Sequence, residues 1–370
     1  MLNKKRKEMI TTTLFPGRYI QGPKAIEKLK DEIDRFGKRG FIIADPFVYD
    51  ELLPEYKSSL GDESDYEVER FEGECTDKEI QRLVEEMKKT DADVVVGFGG
   101  GKTIDTAKAV AHEQDLPMII VPSLASTDAP CSALSVVYTE DGEVDKYLFL
   151  KQNPNVVLVD TTVIARSPVN MLVAGMGDAL ATWFEAKSCM ESHSPNMAGN
   201  LGSMTAYNLA NLCFETLMNS GYAAKLSCEA GVTTPALEKI IEANTLLSGL
   251  GFESGGLATA HAIHNGLTVL EPTHNYTHGE KVTIGTLASL FLTDQTTDLI
   301  ETVYEFCNEI GLPVTLEGIG LKDASDEDLM KVAEAATAEG ETSHNEPMPV
   351  NAESVFAAIK MADAFGKQFV

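Results

Sequence analysis

The first 160 residues alternate short apolar, β-branched runs with amphipathic segments, whereas after Pro168 the apolar runs vanish; this change restricts the fold more than any other property of the chain. Phe41–Ala44, Val94–Val96, Met118–Val121 and Val156–Val159 are bounded by Gly, Pro or Asp and read as buried strands. Between them, Thr76–Lys89 is the clearest helix. Thr76 is a candidate N-cap with Glu79 three residues on, and Ile80, Leu83, Val84 and Met87 share one apolar face. Strands alternating with such helices predict an α/β domain with a parallel, Rossmann-like sheet covered on both sides. Downstream, residues 200–218, 236–250, 282–292, 297–310 and 353–365 are rich in Ala, Leu, Met and Glu with helical periodicity, which predicts an all-α second half. The boundary is expected between Asp160 and Pro168, giving domains 1–163 and 164–370 and making a cleft between them the natural site.

Charge and cysteines exclude several classes. A net charge of −27 opposes approach to phosphate backbones and anionic membranes, so neither nucleic acid nor a membrane surface is expected as a partner. The basic run Lys4, Lys5, Arg6 and Lys7 reads as a solvated tail. Six scattered cysteines with no CxxC pair imply neither a disulfide framework nor a thiolate metal site. With no signal-peptide core and no apolar run approaching the ~18 residues of a membrane span, a cytoplasmic location is expected.

Val94–Asp105 runs from a strand through Gly99, Gly100 and Gly101 into a helix that begins Lys102-Thr103-Ile104-Asp105. Amides at a helix N-terminus suit phosphate, and glycine admits a ligand close to the main chain. The stretch is one residue short of a Walker A loop, since Val96 stands where its first Gly is needed, and it does not follow a first strand as the dinucleotide fingerprint does. A plain turn is the alternative. The next strand ends in Ser123-Leu124-Ala125-Ser126-Thr127-Asp128, and two adjacent strand-end loops of small residues accord with a dinucleotide lying across them. Asp45, after the Phe41–Ala44 strand, either accepts from an adenosine ribose, which favours NAD over NADP, or simply forms the turn before Pro46.

Of seven histidines, His261, His264, His274 and His278 fall within eighteen residues. Their concentration points to a metal, with His261 and His264 on one helix face and His278 returned by the loop 271–277. Imidazole and carboxylate ligands without thiolate suit catalytic Zn²⁺, or Fe²⁺ in a related site. The best third ligand is Asp178, a carboxylate among small residues of a helical stretch, where burial is costly without a cation. The roles of His264 and His274 stay open.

The segments 99–105, 122–130, 175–178, 261–266 and 277–282 together resemble the iron-containing (group III) alcohol dehydrogenase superfamily, and within it the glycerol dehydrogenases, over essentially the full length. The resemblance implies a dehydroquinate synthase-like architecture, with NAD on the N-terminal domain and Zn²⁺ held by Asp178, His261 and His278. It assigns cofactor contacts to the turn Gly99, Gly100, Gly101, Lys102, Thr103, Ile104 and Asp105, to Ser123, Leu124, Ala125 and Ser126, and to Ser132, Leu134 and Tyr138, with Asp128 near the substrate. Other branches carry a fourth ligand, a His four residues after the Asp; Thr182 stands there in this chain. Glycerol oxidation to dihydroxyacetone by a cytoplasmic homo-oligomer, as large as an octamer, is the implied activity. The alternatives are a related polyol or glycerol-1-phosphate dehydrogenase, a dehydroquinate synthase-like lyase, and a non-catalytic metal and nucleotide sensor. The phosphorylated and acidic substrates would require basic groups around the metal that the sequence near Asp178 and His278 does not supply.

Overall fold

Fully buried β-branched strands pair edge to edge in the N-terminal part of the computed structural model, which describes residues 10–57, 60–62, 65–142 and 144–370. The basic run at residues 4–7 lies outside the described residues. Six parallel strands form one sheet in the order β1 (Tyr19–Gly22), β8 (Val156–Asp160), β5 (Met118–Pro122), β4 (Val94–Gly99), β2 (Gly40–Ala44) and β3 (Tyr66–Arg70). The remaining two strands, β6 (Leu134–Tyr138) and β7 (Val144–Phe149), make an antiparallel hairpin. Alternate side chains feed two cores, one including Ile42, Val96, Phe98, Val121 and Leu158, the other Phe41, Ile43, Val95 and Met118.

The second core is closed by helix Asp77–Met87, whose Ile80, Leu83, Val84 and Met87 are all buried. Thr76 caps it by accepting from the Glu79 amide at 3.2 Å. Glu79 does not complete a capping box: its carboxylate accepts from the Glu72 amide and pairs with Arg82.

Strand β2 has β3 on one side and β4 on the other, so the chain reverses its winding between β2 and β4. The carboxyl ends of these two strands therefore flank the switch point, where open α/β sheets take their ligands. Asp45 leaves β2 there, and the glycine turn leaves β4.

Among the described residues no strand follows β8, and no helix is long and apolar enough to cross a membrane. Long helices succeed one another, among them Val169–Ser192, Met204–Glu229, Thr259–Leu267, His278–Leu292 and Thr297–Ile310. Contacts define two compact units. One comprises Phe15–Leu172 and Ala223–Gly249; the other comprises Val173–Tyr222 and Leu250–Val370, with the described residues up to Leu14. A single cut at 163/164 differs from this division. Strand periodicity marks where the sheet stops, whereas residues 223–249 belong with the sheet through contacts the periodicity does not record. Gln21 donates to the Glu238 carboxylate at 2.9 Å, and the Tyr19 hydroxyl lies 2.7 Å from that of Thr245.

Candidate active site

In the helical unit, two helices cross with their backbones in contact. A β-carbon on Gly177 would stand 2.6 Å from the Gly279 carbonyl oxygen, and one on Gly279 only 1.8 Å from that of Ala174. Only glycine permits this approach. The residue after Gly177 is Asp178 and the residue before Gly279 is His278, so the crossing sets carboxylate against imidazole: His278 Nε2 lies 3.1 Å from Asp178 Oδ1. His278 is also the first residue of its helix, held there by a capping box between Thr277 and Glu280. Helix Thr259–Leu267 brings His261, whose Nε2 is 3.5 Å from the same oxygen.

One ligand atom from each of Asp178, His261 and His278 lies within 4.8 Å of the others, the one such cluster among the described residues. Donors about 2.1 Å from a tetrahedral ion stand roughly 3.4 Å apart, so the spacing and the N₂O donor set fit a small divalent cation. His274 stays outside: it is exposed, and its Nε2 lies 2.8 Å from the Thr268 carbonyl. Thr182 is buried one turn beyond Asp178.

Glu185, two turns beyond Asp178 on the same helix, is buried against His261. Its carboxylate accepts from His261 Nδ1 at 2.6 Å and from the amides of Ala258 and His261, each at 2.9 Å. Burial works against charge on His261, yet Glu185 and Asp178 override it and hold the imidazole well above its usual range. Burial likewise opposes ionisation of Asp178, and His278 and His261 outweigh it, keeping the carboxyl well below the usual range. Sequence reasoning missed Glu185. Its signal was available as a carboxylate seven positions after Asp178, a spacing that returns to one helix face.

In the sheet unit, helix Gly101–Gln114 starts directly beyond β4 with no side-chain cap on Gly100. Asp45 binds the neighbouring loops together, accepting from the amides of Val48 at 2.8 Å and Gly100 at 3.2 Å and from the Ser123 hydroxyl at 3.3 Å. About one of the roughly four acceptor positions of a carboxylate is left to it. Gly99 has no room for a side chain, since a β-carbon would meet Asp45 Oδ2 at 2.8 Å. Lys102 pairs with Glu74, and its ammonium sits 5.7 Å from the centre of the Tyr138 ring.

Thr103, Ile104 and Asp105 are buried. Asp105 accepts from the Val136 amide at 3.2 Å, and burial pushes its pKa up to about 6 despite Lys108 nearby. Lys108, unremarked in the sequence, is wholly buried. Its ammonium donates to the carbonyls of Ala129 and Leu134 and to the Ser132 hydroxyl, tying the helix to the loop and hairpin that carry Asp128 and Tyr138. The loop from Ser123 is braced from residues 243–248: Asn244 donates to the Ala125 carbonyl at 2.9 Å, and Ser248 donates to the Asp128 carboxylate at 2.8 Å. Leu124 and Ser126 are half-buried in that loop.

A family model described as iron-containing alcohol dehydrogenase matches residues 16–161. A glycerol dehydrogenase of Thermotoga maritima is 62% identical over 97% of this chain and 98% of its own length. Another, of Citrobacter freundii, is 50% identical over 98% of this chain and 100% of its own. Among solved structures, a probable glycerol dehydrogenase from Sinorhizobium meliloti matches with a TM-score of 0.91 at 43% identity, over 97% of this chain and 100% of that one. With identity of this order across nearly the whole length, the chain belongs to the glycerol dehydrogenases of the iron-containing alcohol dehydrogenase superfamily.

Proposed function

We propose that this oxidoreductase passes a hydride from a small polyol to NAD, with glycerol oxidised to dihydroxyacetone and related vicinal diols as further substrates. The observation that carries the proposal is the meeting of Asp178 Oδ1 with Nε2 of His261 and His278. Zn²⁺ is the proposed ion, since imidazole and carboxylate donors with a position left for substrate are its usual catalytic set. When bound, such a cation supplies Lewis acidity that lowers the pKa of a hydroxyl it touches.

The chain's own residues do the holding. Glu185 accepts a hydrogen bond from His261 Nδ1–H, an arrangement that would leave Nε2 to face the cation. The buried Asp178 supplies one negative charge where the low dielectric makes it strong. Thr182, in place of a fourth imidazole, keeps a coordination position for a diol. Asp128, oriented by Ser248, is assigned to a substrate hydroxyl, and water relays the released proton without a dedicated side-chain base.

For the cofactor, the first turn of helix Gly101–Gln114 is assigned to the diphosphate and the remaining acceptor position of Asp45 to the ribose. Ser123 to Ser126, Ser132, Leu134 and Tyr138 are assigned to the rest of the dinucleotide. A cytoplasmic homo-oligomer is the proposed state.

The test is NADH absorbance over a panel of diols and polyols, with chelator and with added Zn²⁺. Activity is expected only with metal, and Asp178→Ala and His261→Ala should abolish it. Undiminished turnover by metal-free protein would overturn the proposal.

A further inference from the structure

We infer that His264 is a positioning residue for the metal centre, the last link of a hydrogen-bonded chain from Glu341 through Asn265 that makes His278 present Nε2 to the cation. The inference rests on the proposed metal site and concerns a side chain that is not one of its ligands.

The chain can be read atom by atom. A carboxylate only accepts, so the Asn265 group 3.2 Å from Glu341 Oε2 is the amide nitrogen, which donates. That orientation turns Asn265 Oδ1 toward His264 Nδ1, 3.2 Å away, where it accepts that ring's proton. His264 Nε2 is then a lone pair, 3.0 Å from His278 Nδ1. A neutral imidazole that ligates through Nε2 carries its single proton on Nδ1, and that proton needs an acceptor. His264 Nε2 is that acceptor. The two rings meet edge to face, with centroids 4.2 Å apart.

Both nitrogens of His264 are therefore committed, one to Asn265 and one to His278, so neither is left for the metal. The two ligand imidazoles are tethered differently. His261 gives its outer proton to the charged Glu185, whereas His278 gives its own to a neutral ring. Among the described residues His264 is the partner of His278 Nδ1, and without it the proton of His278 would be free to sit on Nε2, the atom that faces Asp178.

The test uses the full-length protein stripped of metal and titrated with Zn²⁺ against a chromogenic chelator. His264→Phe keeps an aromatic ring of similar size without the acceptor, and His264→Gln restores an oxygen acceptor. The Phe variant should lose about 10–100-fold in Zn²⁺ affinity, the usual cost of losing an outer partner, and Gln should recover most of it. Ring ¹⁵N shifts should show His278 protonated on Nδ1 in the zinc-loaded wild type and a mixture of tautomers in the Phe variant. Asn265→Ala cuts the chain one link further out and should weaken binding in the same direction, which keeps the test decisive if His264→Phe does not fold. Wild-type Zn²⁺ affinity in a folded Phe variant, or no recovery with Gln, would overturn the inference while leaving the metal site standing. Failure of the wild type itself to take up Zn²⁺ would instead remove the metal site, and this inference with it.

Discussion

Replacing Gly279 with Ala tests whether the helix crossing builds the proposed metal site. The added β-carbon would lie 1.8 Å from the Ala174 carbonyl oxygen and 2.6 Å from its carbon, and both are backbone atoms with no rotamer to yield. The helices must part by roughly 1 Å to approach the 3.0 Å below which such contacts are essentially never found. Overpacking of this kind costs about 1–3 kcal/mol. The effect on the site is larger in proportion, because Asp178 and His278 adjoin the contact and metal–ligand distances tolerate only about 0.2 Å. Zn²⁺ affinity should therefore fall by more than the roughly 100-fold upper cost of disturbing an outer partner. Urea unfolding of the metal-free protein reads the first quantity and a competitive Zn²⁺ titration the second. A folded Gly279→Ala protein with unchanged Zn²⁺ affinity would refute the claim that this crossing positions the ligands.

Two other perturbations follow from named contacts. In Glu185→Gln, the amide cannot accept at both ends, so either the His261 ring or the backbone pair at Ala258 and His261 loses its acceptor. Zn²⁺ affinity should drop about 10–100-fold, and a Gln variant that binds as wild type would show that this carboxylate does not orient the ligand. Asp105 predicts a pH effect. Its folded pKa of about 6 lies above the ordinary carboxylate value of 3.8, so its stabilising contribution is complete below pH 3.8 and is lost as pH rises through about 6. The gap of roughly two units corresponds to about 3 kcal/mol, so the stability of Asp105→Asn relative to wild type should rise by up to that amount across the window. Parallel urea-unfolding profiles for the two proteins would sink the assignment.

The four strands read from the sequence are those buried on both faces, where only unbroken apolar runs survive. The edge strand Tyr66–Arg70 escaped notice for the converse reason: Glu67, Glu69 and Arg70 sit where one margin is open, and no apolar run is required. The same holds for Val144–Phe149, which is mostly exposed. Helix Thr297–Ile310 was legible to the residue because its amphipathic face is continuous. The small residues around Asp178 were visible as a pattern, but their cause, a crossing with Gly279, is a tertiary fact. The duties of His264 and Glu185 were beyond sequence for a sharper reason. Spacing tells which helix face a residue occupies, and these roles depend on which ring nitrogen meets which atom.

Charge explains why a chain with a net −27 can host these chemistries at all. At the proposed metal site, Asp178 and Glu185 bring two negative charges in buried positions, and a divalent cation shared by two neutral imidazoles would cancel them. At the glycine turn the balance is different. Lys102 already faces Glu74, so its charge is largely answered within the protein. In the proposed cofactor site, attraction for a dinucleotide's phosphates would then fall to the backbone amides at the start of helix Gly101–Gln114, whose partial positive charge needs no side chain and survives in an acidic protein.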